Sequence, residues 1–286
     1  MTLAADGPNK DQITYWNEAS GDKWVALQER IDAQIAVFGE RVLDAAKLSA
    51  GEKVLDVGCG CGATSLDAGG RVGSAGEVVG VDISTVMLGR ARERAKIDGL
   101  EQVSFVNADA QLHAFPAGHF DAVVSRFGVM FFDDPTAAFA NLRGALAPNG
   151  RLVFACWRPP TENPWVMVPM QAVADILPPP DMPAPGAPGP FSLADPDRVE
   201  GILRDAGYRD ITVEPDDAAL VLGGGPELDV AVEFSLAMGP AGRMMQDATD
   251  AQRAQATDAV REALKPHHDA NGVTLSGATW RVRASA

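Results

Sequence analysis

Cysteine is scarce in this 286-residue chain. Cys59, Cys61 and Cys156 are odd in number and include no C-x-x-C pair, which argues against a disulfide framework and for a reducing compartment. Positive charge is also in deficit: 24 Lys+Arg stand against 39 Asp+Glu, a net charge of −15. Nucleic-acid binding runs on Lys/Arg neutralisation of phosphates, and anionic lipid attracts the same residues, so neither nucleic acid nor a membrane surface is an expected partner. The opening MTLAADGPNKDQ has no apolar core of a signal peptide. Nowhere does an uninterrupted apolar run reach the roughly 18 residues that span a bilayer. The expected location is therefore the cytoplasm and the expected partner a small-molecule substrate, while a homo-oligomer is left open. What the chain has is 46% hydrophobic residues, too many for disorder and enough for a well-buried core.

Residues 13–48 read as helical, with Ile31, Ile35, Phe38, Val42 and Ala46 on one face at spacings of three and four. The period then changes. Short apolar runs at Val54–Val57, Val78–Asp82, Val103–Val106, Asp121–Ser125 and Arg151–Trp157 alternate with helical stretches. One of these is Ser84 to Asp98, with Ser84 as N-cap and Gly99 as stop; another starts at Asp134-Pro135. Strands that are apolar throughout and separated by helices require a parallel sheet covered on both faces. Beyond Trp157, prolines crowd residues 158–190 and forbid long helices or central strands around one amphipathic piece, Trp165–Leu177. A helix at Asp195–Ala206, a strand at Ile211–Val213, helices at Glu227–Met238 and Ala248–Leu264 and a last strand at Val273–Ala284 complete the chain. The organisation expected is a helical segment 1–48 covering a crevice and a cofactor-binding core 49–157. A Pro-rich insert or lid follows at 158–194, then a segment 195–286 that finishes the sheet and carries a helical insertion at about 225–270.

The informative stretch is Val54-Leu55-Asp56-Val57-Gly58-Cys59-Gly60-Cys61-Gly62-Ala63-Thr64. Its glycines permit a tight strand-to-helix turn and let a ligand lie against bare backbone. Asp82, at the end of the second strand, is placed to grip a ribose diol. The same glycines satisfy the G-x-G-x-x-A dinucleotide pattern, so the loop alone is ambiguous. Asp56, two residues before Gly58, tips the balance: a carboxylate there suits a cationic ligand and repels a pyrophosphate.

In order and spacing, VLDVGCGCGATS, VVGVDIS-TVML, NADAQ, FDAVVSRFGVMFFDDP and LAPNGRLVF resemble the class I S-adenosylmethionine-dependent methyltransferases, most nearly the small-molecule group with quinone-biosynthesis enzymes. The resemblance covers about residues 35–157. It implies a Rossmann-like, seven-stranded, mostly parallel α/β sheet whose reversed last strand Val273–Ala284 would supply. It implies S-adenosylmethionine as cofactor, with Asp56, Gly58, Gly60 and Gly62 holding its methionine portion and Asp82 its ribose. Ile83 and Met87 would pack on the adenine, Asp109 would accept from the adenine amino group, and the Ala110 backbone N–H would meet a ring nitrogen. The chain at Ser125-Arg126 would offer a carbonyl to the cofactor's amino group. Cys61 stands where Thr or Ser is usual in the family.

Methyl transfer from a sulfonium needs alignment above all, and a base only where the nucleophile carries a proton. His113 is the first candidate base and His119 the second, with Arg126 as a steering charge for an anionic substrate. A surface role for His113 weighs against the catalytic one. Tyr15, Trp16, Trp157 and Trp165 are candidates for a substrate-binding face, by cation–π contact or simple apolar packing. Core packing explains the same residues. The expected function is methyl transfer to a small, apolar or aromatic acceptor at O, N or C, without a metal. The alternatives are a nicotinamide-dependent oxidoreductase and a cofactor-binding regulator without turnover.

Overall fold

A computed structural model describes residues 3–179, 184 and 186–286. Three helices lead: α1 (Lys10–Asn17), α2 (Ala19–Ala26) and α3 (Gln28–Ala46). The core then alternates β1 (Lys53–Val57), α4 (Ala63–Val72), β2 (Glu77–Asp82), α5 (Thr85–Ile97), β3 (Val103–Asn107), β4 (Phe120–Arg126), α6 (Pro135–Ala145) and β5 (Leu146–Trp157). After it come α7 (Pro164–Val173), α8 (Pro196–Asp205), β6 (Arg209–Val221), α9 (Leu228–Ala237), α10 (Gly239–Met244), α11 (Asp250–Leu264), β7 (His268–Asp269) and β8 (Gly272–Ser285). The principal sheet runs β3-β2-β1-β4-β5-β8-β6; β1 to β5 are parallel, and β8 lies antiparallel between β5 and β6. This is the mostly parallel α/β sheet expected, reversed strand included.

The parallel strands earn their burial from composition. Val54, Leu55, Val78, Val81, Ala122, Val123 and Val124 are all inaccessible to solvent or nearly so. The α3 face with Phe38, Val42 and Leu43 packs over β4 and β5. Local signals set the helix starts: Ser84 Oγ accepts from Met87 N–H, and Asp134 Oδ1 from Ala137 N–H ahead of α6, with Pro135 at its first position. Because β1 and β4 are neighbours while the chain leaves them in opposite directions, the crevice opens at the carboxyl ends of these strands. A second hydrophobic cluster is separate from the sheet core. It joins Val173, Leu222, Val232, Met244, Val260 and Leu275 from α7, α9, α10, α11 and the far ends of β6 and β8.

Three expectations need correction. The helical stretch over 13–48 is three helices, broken at Glu18 (φ −104, ψ −150) and Leu27, because the chain folds back and Gly21 packs directly on the Trp16 carbonyl. The strand at 211–213 extends over thirteen residues, Arg209–Val221. It is an exposed edge, where charges and Pro215 are tolerated, so its sequence lacks the apolar run that marks a central strand. The amphipathic piece at 165–177 contributes a helix only over Pro164–Val173. Of the Pro-rich insert, residues 180–183 and 185 lie outside the described residues.

Candidate functional site

The glycine loop leaves β1 and enters α4 with Gly58, Gly60 and Gly62 all at positive φ (65°, 55° and 86°). Gly58 and Cys59 both donate their N–H to the Val81 carbonyl, at 2.8 and 3.2 Å, which welds the turn to the tip of β2. Asp82 completes the weld: its Oδ2 accepts from Gly60 N–H and its Oδ1 from Ser84 N–H, each at 2.8 Å. Burial pushes the Asp82 carboxyl above its ordinary range, and these backbone donors pull it partly back. Met87 is buried and lies beside Gly60, while Ile83 is half-buried at the start of the following turn.

Gly58 has a second reason to be glycine. A Cβ there would lie 2.5 Å from the Gly128 Cα and 3.2 Å from its carbonyl carbon, backbone against backbone. Gly58→Ala combines a left-handed conformation with overpacking and should cost at least about 3 kcal/mol of stability. Urea unfolding checks this; a loss under about 1 kcal/mol would show that the loop adapts.

Asp56 sits beneath the loop, 1% exposed. Its Oδ2 accepts from Ser65 Oγ at 2.6 Å, but its Oδ1 is buried with no hydrogen-bond partner. Burial pushes this carboxyl up to about 6, while Ser65 and the Arg126 charge pull it down and Asp82 and Asp67 push it further up. An unpartnered buried carboxylate oxygen is costly unless a donor comes to it. Ser125 is fully buried at the tip of β4, where its Oγ donates to the Val57 carbonyl (2.7 Å) and accepts from Gly128 N–H (3.1 Å).

Asp109 follows β3, 6% exposed, accepting Gln111 N–H on Oδ1 at 2.9 Å. Ala110 beside it is buried, its carbonyl held by Asn141 Nδ2 at 2.9 Å. The Asp109 carboxylate is also met by Asn9 Nδ2, a residue to which no sequence signal pointed. Asn17, likewise unforeseen, donates to the Ile83 carbonyl and accepts from Thr85 N–H, each at 2.9 Å. Thus α1 is anchored at both ends, by Asn9 beyond β3 and by Asn17 beyond β2.

Other candidates land elsewhere than expected. Arg126 points its guanidinium at α3, 3.0 Å from Asp32 Oδ1, while Asp32 Oδ2 takes Arg94 at 3.0 Å and Gln28 at 2.6 Å. Its charge is committed to that cluster, so it is not a free charge for steering an anionic substrate. His113 packs edge-on against Phe115, whose ring lies 6.4 Å from Phe120 at the start of β4. Its backbone N–H donates to the Asp109 carbonyl at 2.8 Å, one turn on from that acid. His119 meets Glu77 Oε2 at 2.9 Å, at the opposite end of the sheet. Cys59, Cys61 and Cys156 are free and buried, and burial raises their thiols.

The four aromatic candidates form two groups. Trp157 stacks on Phe127 (centroids 4.3 Å, planes 4° apart) and meets Trp165 at 4.9 Å. Tyr15 meets Trp16 at 5.1 Å, and Trp16 packs on Phe131 at 5.4 Å. Phe127 and Phe131 belong to one turn after β4, so that turn links the groups into an aromatic wall in which Phe127 and Trp157 are themselves buried with the sheet core. Phe127 takes a left-handed backbone (φ 67°), rare for an aromatic residue and a form of strain that clusters at functional sites. Beyond Trp165, a cavity of about 20 Å³ is enclosed by Val166, Pro169, Leu222, Phe234 and Met238.

A cradle of bare backbone, an acid at each of three successive strand tips and an unpartnered buried carboxylate oxygen suit a cationic nucleoside. Comparison with known proteins agrees. Residues 54–150 match the family model described as "Methyltransferase domain". Over 150 residues the chain is 36% identical to aklanonic acid methyltransferase DauC of Streptomyces sp. strain C5, covering 52% of this chain and 66% of that protein. It is 34% identical over 190 residues to nocamycin O-methyltransferase of Saccharothrix syringae (63% and 67%). Over 128 residues it is 41% identical to a demethylmenaquinone methyltransferase of Thermus thermophilus (45% and 57%). The match thus spans about two thirds of the first two relatives' lengths and less of the third. In fold it is similar to the YcgJ protein of Bacillus subtilis, with a TM-score of 0.55, 16% identity and coverage of 87% and 97%. The chain belongs to the S-adenosylmethionine-dependent methyltransferase family. That assignment selects methyl transfer over the nicotinamide alternative, and S-adenosylmethionine is the family's cofactor. Among the described residues, no helix is long and apolar enough to cross a membrane.

Proposed function

We propose that this chain transfers the methyl group of S-adenosylmethionine to a small, planar, largely apolar acceptor held on the aromatic wall. The observation that carries the reading is the stack of Trp157 on Phe127 and its contact with Trp165, beside a turn after β4 whose Gly128 backbone abuts Gly58 of the glycine loop. Relatives named for aklanonic acid, nocamycin and demethylmenaquinone support a small-molecule acceptor. In this reading Asp56 Oδ1 finds its donor in the cationic amino-acid end of the cofactor, and Gly58, Gly60 and Gly62 admit that end against bare backbone. Asp82 takes the ribose hydroxyls, Ile83 and Met87 flank the adenine, and Asp109 with Ala110 reads its edge. The Ser125-Arg126 backbone faces the amino group. When bound, the cofactor supplies an electrophilic methyl on a sulfonium that leaves neutral, so no acid is required.

The chain's own contribution is alignment and exclusion of water. Holding the nucleophile in line with the methyl is worth about 7 to 11 kcal/mol of barrier when the geometry is good. His119 sits at the opposite end of the sheet, and His267 and His268 follow α11. A carboxylate, an acidic phenol or a stabilised enol brings its own nucleophilicity near neutral pH and needs no base.

Purified protein incubated with methyl-labelled cofactor and a panel of quinols, phenols, aromatic acids and amines tests the proposal. Label is expected in a planar aromatic member; binding of cofactor with no label in any member would overturn it. With a productive acceptor, Trp165→Leu should raise KM about tenfold through loss of the ring contact and leave cofactor affinity unchanged.

A further inference from the structure

The Asn9 carboxamide is fully used, although it sits just ahead of the first helix of the chain. Its Nδ2 lies 3.0 and 2.9 Å from Asp109 Oδ1 and Oδ2 and 3.0 Å from Gln111 Oε1, and its Oδ1 accepts Asp133 N–H at 2.8 Å. The residue is 4% exposed. Asp109 can only accept, which fixes the amide orientation. Lone-pair accounting then gives a definite result. The amide has two hydrogens for three acceptors, so with one on Gln111 Oε1 the other is shared between the Asp109 oxygens: Oδ1 takes it together with Gln111 N–H, and Oδ2 takes only the shared hydrogen. A carboxylate oxygen has two acceptor sites, so one site on Oδ2 is left.

We propose that Asn9 is a positioning residue for base recognition: it clamps the Asp109 carboxylate with one Oδ2 acceptor site left for the exocyclic amino group of the cofactor's adenine. The inference rests on the reading that Asp109 takes that amino group. It goes further in making discrimination at the purine 6-position depend on a residue 100 positions away in the chain. The clamp also couples the base to the cover. Asn9 holds one end of α1 at Asp109 and Asp133, and Asn17 with Ser84, whose Oγ donates to the Trp16 carbonyl, holds the other end at the tip of β2. An aspartate at position 9 would set two carboxylates against each other, and an alanine would free Asp109 to rotate. Asparagine supplies both the donor that Asp109 needs and the acceptor that Asp133 N–H needs.

The test compares affinities for S-adenosylhomocysteine and S-inosylhomocysteine, which carries an acceptor oxygen in place of the amino group, by isothermal titration. Asn9→Ala should weaken the adenosyl ligand about tenfold and leave the inosyl ligand within about twofold, so that discrimination falls about tenfold. Asn17→Ala, which loosens the other end of α1, should weaken both ligands alike. Discrimination in Asn9→Ala within twofold of the parent, whether both affinities fall together or neither moves, would overturn the role given to Asn9. Asp109→Asn separates the two layers. If it leaves discrimination intact, the reading of Asp109 itself is wrong; if it abolishes discrimination while Asn9→Ala does not, only the role of Asn9 falls.

Discussion

Replacing Asp82 with alanine should weaken binding of S-adenosylhomocysteine by about 100-fold or more. Two backbone donors, Gly60 N–H and Ser84 N–H, converge on this carboxylate at 2.8 Å each, and hydrogen bonds to charged groups contribute about 1.5 to 3 kcal/mol apiece. Without them the glycine loop is tied to β2 only through the Gly58 and Cys59 bonds to the Val81 carbonyl, and in the proposed reading the ribose loses its acceptor at the same stroke. The sheet itself should persist, because the β1–β2 ladder from Lys53↔Glu77 to Val57↔Val81 does not depend on this side chain. Asp82→Asn keeps an acceptor for one of the two donors and should fall between, at about tenfold. Titration calorimetry at pH 7.5 reads both variants. An affinity for Asp82→Ala within threefold of the parent would mean that the ligand is held somewhere else.

Asp56→Asn should separate stability from binding. The folded carboxyl sits at about 6, above its ordinary 3.8, because it is buried with one oxygen unpartnered. Folding therefore takes up a proton between about pH 4 and pH 6, and the cost of burying the ionised form is absent below that window and complete above it. The rise from 3.8 to about 6 corresponds to about 3 kcal/mol. The amide, which still accepts from Ser65 Oγ, should thus stabilise the ligand-free protein by up to about 3 kcal/mol at pH 8, several degrees in Tm, and give no advantage at pH 4. It should also remove most affinity for S-adenosylmethionine, because the cationic end loses its counter-charge. In the parent, cofactor affinity should fall as pH drops below about 6, since the protonated carboxyl attracts no cation. Melting curves at the two pH values, paired with titration, decide it. A variant less stable than the parent at pH 8 would show that the carboxylate is already satisfied in the folded state.

Much of the core could be read along the chain because it rests on short-range chemistry. The apolar runs at Val54–Val57 and Val78–Val81, the Ser84 cap and the glycines at 58, 60 and 62 each encode their own local geometry. The edge strand Arg209–Val221 was mostly missed because one of its sides meets solvent and its ladder is completed by β8, more than fifty residues later. The side-chain partners of Arg126 and His113 are hidden from the sequence for a related reason. Their positions in sequence put them near the crevice mouth, but side-chain direction depends on which partner packs alongside, Asp32 from α3 for one and Phe115 for the other.

The order of residues alone therefore settled the class of fold, the glycine turn and the three acids at the strand tips, since a strand-turn-helix unit is encoded within a few residues of its turn. Only the folded chain decided what stands around them. Asn9 on Asp109, Asn17 on the β2 turn, Asp32 between two arginines and Phe127 flat on Trp157 join segments distant in sequence, and each side chain is of a type that serves equally well on any surface or in any core. Such contacts are specified by long-range packing, where the burial of the whole sheet selects partners that no local pattern names.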